Sequence, residues 1–160
     1  MTAQFNIAEV FELAMQMERN GARFYREAAQ QVSGPQARGL LERLAEMEVE
    51  HENIFRRLAT LVSATPEAYS YDPENEGLKY LQALVSRAVF DDASDSFRLL
   101  ASRPSAHDVL TTAVRMENES IAYYTGIREF IRAEEKGKVD EIIREEMSHV
   151  VMLTNLLTSL

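Results

Sequence analysis

Glutamate and histidine recur in this 160-residue chain at a spacing that suits metal binding. Glu48 is followed three positions later by His51, and Glu146 is followed three positions later by His149. On a helix, residues at i and i+3 leave one face on adjacent turns, so each pair offers a carboxylate and an imidazole to the same point. A further glutamate precedes each pair at nearly the same distance: Glu18 lies 30 positions before Glu48, and Glu117 lies 29 before Glu146. A lone Glu-x-x-His on a helix is most often a solvated pair. The duplication sets this one apart, and Glu18, Glu48, His51, Glu117, Glu146 and His149 form one candidate ligand set. Carboxylate with imidazole accepts iron, manganese or zinc.

The elements that must position these six residues are helices, because apolar residues repeat at three-and-four spacing and the alternation of strands is missing. Four long helices are expected, at about 8–31, 35–62, 105–135 and 138–157. Ser33, Gly34 and Pro35 form the turn that separates the first two, with the proline suited to the first turn of the next helix. Ser105 is placed to cap the third helix, with Asp108 in its dipole-favoured first turn. The most apolar stripe of the first helix is Ile7, Phe11, Ala14, Glu18, Gly21, Tyr25 and Ala28. On the second it holds Leu41, Leu44, Glu48, His51, Phe55 and Leu58. On the third it holds Leu110, Ala113, Glu117, Ser120, Tyr124 and Ile127, and on the fourth Val139, Ile142, Glu146, His149 and Leu153.

Each stripe therefore carries ionisable groups at its centre and no lysine or arginine. An unpaired buried carboxylate costs several kcal/mol even after relaxation, so four of them demand counter-charge. Two divalent cations balance four carboxylates, and the two imidazoles supply one further ligand to each. One Glu from each of two helices and a Glu-x-x-His from each of the other two is the donor set of di-iron and di-manganese carboxylate bundles.

Between the two helix pairs lie some 40 residues, 63–104, too long for a turn between antiparallel neighbours. The segment must travel the length of the bundle. Its first part is rich in turn formers, and Leu78, Leu81, Leu84, Val85 and Ala88 suggest a short packed helix at about 77–90. Two helical hairpins joined by one long crossover is the ferritin-like arrangement of an all-α four-helix bundle, and the whole chain is expected to form that one domain.

Composition excludes several other chemistries. Without cysteine there is no disulfide, thiolate-bound zinc, iron-sulfur cluster or cysteine nucleophile in these residues. A net charge of -9 argues against a nucleic-acid partner, which needs clustered Lys and Arg. No window approaches the roughly 18 uninterrupted apolar residues of a membrane span, and the first residues lack the features of an export signal, so a cytoplasmic location without a membrane partner is the expectation.

Tyr25 and Tyr124 each follow a stripe glutamate by seven positions, which repeats the duplication. They are either core packing or hydroxyl donors to the ligand carboxylates, the outer support that orients metal ligands. Glu46, Glu50, Glu52, Glu119 and Glu145 fall off the stripes and are expected to face water, Glu50 and Glu145 being the nearest competitors for a ligand role. His107, at a helix start without a matched partner, reads as a surface residue. Methionines such as Met15, Met17, Met47 and Met147 read as core or interface filler.

The segments MERNGARFY, EMEVEHENIFRRL, RMENESIAYY and EEMSHVVML, one from each long helix, resemble the di-iron domain of rubrerythrin in the ferritin-like superfamily. The resemblance implies a non-haem centre of two iron ions that reacts with hydrogen peroxide or oxygen, an external electron donor, and a homodimer. Glu48 and Glu146 would bridge or flank the irons, Glu18 and Glu117 would be terminal carboxylates, and His51 and His149 would ligate one iron each. Two features depart from the family pattern. No rubredoxin-like cysteine module is present in these residues, and the position three after Glu117, which in the family typically holds another glutamate, is Ser120. The alternatives are a ferroxidase serving iron storage, and a bundle that binds zinc or manganese without catalysis.

Overall fold

The structure, a computed structural model, describes residues 6–64, 76–87 and 95–160. Among these residues there are six helices and no strand: α1 (Ile7–Gln31), α2 (Pro35–Ala64), α3 (Glu76–Arg87), α4 (Asp95–Ala101), α5 (Ala106–Ile127) and α6 (Ala133–Thr158). The four long helices make the ferritin-like bundle. α1 packs on α2 as one hairpin and α5 on α6 as the other, and the hairpins meet through α1 with α5 and α2 with α6.

Local chemistry explains where the helices begin. The Asn6 side chain accepts from the Ala8 and Glu9 amides, while Glu9 reaches back to the Asn6 amide, satisfying donors that an uncapped helix leaves orphaned. Gly34, at a φ of 107°, takes the left-handed conformation that turns the chain between α1 and α2, and Pro35 then opens α2. The Ser105 hydroxyl accepts the Asp108 amide at 3.1 Å, as its position in the sequence suggested.

Two apolar clusters fill the ends of the bundle. One gathers Phe11, Phe55, Leu58, Tyr124, Ile127, Val139 and Ile142; the other gathers Phe24, Tyr25, Leu41, Leu44, Leu110 and Leu153. The start of α1 thus shares a cluster with the end of α5, so these two helices run antiparallel. The six candidate ligands occupy the level between the clusters.

The crossover reaches both ends. Leu81 of α3 is fully buried in the first cluster, and Phe97 and Leu100 of α4 lie in the second. Gly126 lets α3 lie close on α5, since a Cβ there would stand 2.5 Å from a Leu81 methyl, and Gly77 lets α3 lie close on the segment that follows α5, where a Cβ would collide with the Phe130 ring. α4 is held by the Arg23 guanidinium, 4.4 Å above the Phe97 ring, and by a 3.0 Å hydrogen bond from Arg115 to Ser96.

The structure departs from the sequence-based expectation in two places. The third long helix ends at Ile127 and the fourth begins at Ala133, whereas the expected break lay between 135 and 138. The break falls where Phe130 and Ile131 turn into the core; residues 128–132 themselves hold no glycine or proline, although Gly126 stands just before them. Gly137, which falls in that expected break, instead lies exposed within α6. The crossover also contains α4, a helix too short for periodicity to reveal. The turn formers at 66–75, and Ala88 in the expected short helix, lie outside the described residues.

Candidate metal centre

Each long helix buries the ionisable residues of its stripe. Glu18, Glu146 and His149 are fully buried, and Glu48, His51 and Glu117 nearly so. Glu18 comes from α1, Glu48 and His51 from α2, Glu117 from α5, and Glu146 and His149 from α6. They form two overlapping groups, Glu18–Glu48–His51–Glu146 and Glu48–Glu117–Glu146–His149, and within each the potential ligand atoms lie within 4.8 Å of one another. Glu48 and Glu146 belong to both groups. Each group therefore takes three residues from one hairpin and borrows the middle glutamate of the other.

Both imidazoles turn Nδ1 inward. His51 Nδ1 lies 3.1 Å from Glu146 and 3.6 Å from Glu18. His149 Nδ1 lies 2.8 Å from Glu146, 3.5 Å from Glu117 and 3.6 Å from Glu48. The two rings face each other with centroids 5.8 Å apart.

The donor set fits a pair of divalent cations. Buried polar atoms normally find hydrogen-bond partners, and those that do not require an explanation. Glu18 Oε2, Glu48 Oε1, both oxygens of Glu146, and Nδ1 of both histidines are buried without one among the described residues. All six belong to the same cluster, where oxygen and imidazole nitrogen would hold the ions. Gly21 preserves this space: a Cβ there would stand 3.0 Å from Glu48 Oε2.

Electrostatics show what four carboxylates cost without cations. Burial, reinforced by the charge on Glu146, drives the Glu18 and Glu48 carboxyls well above their ordinary range. The same causes lift Glu117 to about 8. Burial would also raise Glu146, but the imidazoles of His149 and His51 beside it, with the Glu117 carboxyl, overcome this and hold it at about 2. For the histidines burial acts downward and the carboxylates win, taking His51 to about 9 and His149 to about 10. The metal-free cluster thus keeps protons where cations would otherwise sit, so metal entry must displace them.

Both tyrosines donate to carboxylates, each across the hairpin interface: Tyr25 to Glu117 and Tyr124 to Glu18. Burial first, and the neighbouring carboxylates second, push both phenols far above their usual range, so the hydroxyls stay protonated and can donate.

Glu145 corrects the expectation that it simply faces water. It is partly exposed, but its Oε2 lies 2.7 Å from His51 Nε2 and accepts the outer proton of that ring. A matched hairpin offset could not reveal this contact, because Glu145 lies off the apolar stripe of α6. Glu52 is also only 13% exposed, held by Arg19 at 3.0 Å and by Arg56. Glu46, Glu50, Glu119 and His107 are exposed, as expected.

Comparisons with known proteins bear on the fold and on the first hairpin. The rubrerythrin family model matches residues 1–59, the hairpin that carries Glu18, Glu48 and His51. A crystal structure from Thermotoga maritima, described as that of a ferritin-like diiron-carboxylate protein, aligns over 96% of this chain and 95% of its own, at 22% identity and a TM-score of 0.69. No curated protein matches the sequence. The chain has the ferritin-like fold, its first hairpin matches rubrerythrin, and no helix among the described residues is long and apolar enough to cross a membrane.

Proposed function

We propose that this protein is a rubrerythrin-like di-iron oxidoreductase that reduces hydrogen peroxide or reacts with oxygen. The observation that carries the reading is the pair of overlapping ligand groups sharing Glu48 and Glu146, deep in the bundle. Glu48 and Glu146, common to both groups, would serve both ions, Glu18 and Glu117 would each serve one, and each histidine would ligate one ion. When bound, a ferrous pair would supply one electron per iron, the two electrons that, with two protons from solvent, convert one hydrogen peroxide to two waters.

The chain's own residues prepare for that chemistry. The apolar clusters above and below exclude water, which strengthens every charge interaction within. Tyr25 and Tyr124 orient the terminal carboxylates, and Glu145 fixes the ring and proton of His51. This reading takes its reducing electrons from an external donor and places the protein in the cytoplasm as a homodimer.

Anaerobic titration with ferrous iron, followed by stopped-flow addition of peroxide or oxygen, tests the proposal. Two irons per chain and rapid oxidation are expected, with both lost in Glu117→Ala. A loaded ferrous protein that oxidises with neither reagent would overturn it, and would leave a metal site without redox function.

A further inference from the structure

The two halves of the cluster are duplicates in their inward ligands but not in their outer support. His51 Nε2 meets Glu145 Oε2 at 2.7 Å. His149 Nε2 is buried and finds no hydrogen-bond partner among the described residues. The sequence explains the difference. Glu145 immediately precedes Glu146, and the residue in that register of the other half, immediately before Glu48, is Met47. The repeat carries a thioether where the first histidine's partner is a carboxylate.

The chemical consequence follows from the tautomers. To bind a cation through Nδ1, a neutral imidazole must carry its proton on Nε2. Glu145 accepts that proton from His51, which orients the ring, selects the binding tautomer and raises the basicity of Nδ1. His149 must adopt the same tautomer with a buried N–H that has no acceptor, an unfavourable arrangement.

We infer that the two metal positions are inequivalent: the position lined by Glu18 and His51 binds its ion more tightly than the one lined by Glu117 and His149, and Glu145 is the positioning residue responsible. The inference rests on the reading that the cluster holds two ions, and it adds an order of filling. The Glu117–His149 position fills last and releases its ion first.

Stepwise titration of the metal-free protein with Co(II), followed by calorimetry and by d–d absorption, tests this without relying on turnover. In wild type, two binding steps separated by at least about tenfold are expected. Glu145→Leu should weaken the first step by about 10- to 100-fold, the range typical of a lost outer-shell partner, and leave the second within about twofold. Glu145→Gln, which retains an acceptor oxygen, should recover most of the loss. Circular dichroism of each metal-free variant checks folding, which the partly exposed position of Glu145 favours. Two equal binding constants in wild type, or equal weakening of both steps in Glu145→Leu, would overturn the inference while the two-ion reading stands. Absence of Co(II) binding would overturn both.

Discussion

The Tyr25 hydroxyl of α1 donates to Glu117 of α5, and the reciprocal bond from Tyr124 of α5 to Glu18 of α1 completes a crossed pair. Because α1 and α5 run antiparallel, two turns beyond the glutamate on one helix is the level of the glutamate on the other. Each tyrosine therefore serves the opposite hairpin, and the bonds join the halves of the cluster at its terminal carboxylates. Tyr25→Phe or Tyr124→Phe should each destabilise the fold by about 1–3 kcal/mol, since each leaves a buried carboxyl oxygen without its donor. Urea unfolding of the two variants checks this, and similar losses are expected because the two environments are alike.

Two glycine-to-alanine variants should act in opposite directions. At Gly21 the new methyl would crowd Glu48 Oε2 at 3.0 Å, so a loss of about 1–3 kcal/mol and weakened metal uptake are expected. At Gly137, exposed within α6 with nothing within 4 Å of the added carbon, the helix should gain about 0.5–1 kcal/mol. Chemical denaturation with and without metal separates the two cases.

The metal-free protein should lose stability as pH rises above neutrality. Glu117, lifted from 4.5 to about 8, holds a proton in the folded state that the unfolded chain releases, so its contribution is full below 4.5 and disappears as pH rises through 8. His51 and His149, lifted from 6.5 to about 9 and about 10, contribute with the same sign, fully below 6.5 and not above those values. Glu146, lowered from 4.5 to about 2, has the opposite sign and contributes above 4.5. Thermal unfolding in chelator should therefore show a lower midpoint at pH 9 than at pH 6. Bound cations replace the protons and should reduce that difference; a metal-free midpoint that rises over the interval would contradict the assignment.

The crossover is part of the core and should behave so under mutation. Leu81 of α3 is fully buried against the cluster of Phe55, Tyr124 and Ile127. Leu81→Ala should cost about 2–5 kcal/mol in urea unfolding, as for other buried leucines. A loss below about 1 kcal/mol would show that α3 is docked only loosely.

Spacing alone located the six central residues, because a helix presents i, i+3 and i+4 on one face and the apolar neighbours of Glu18, Glu48, Glu117 and Glu146 marked those faces as buried. The long interval between hairpins similarly required a crossover. Tertiary structure decided what periodicity within one helix cannot express. It determined that Glu48 and Glu146 are shared between groups, that Tyr25 and Tyr124 reach across to the opposite hairpin, and that Glu145, off the stripe of its own helix, meets His51. Each is a contact between helices, set by their antiparallel packing and register. The break at 128–132 belongs with these, since α5 ends where Phe130 and Ile131 turn into the core and residues 128–132 hold no glycine or proline.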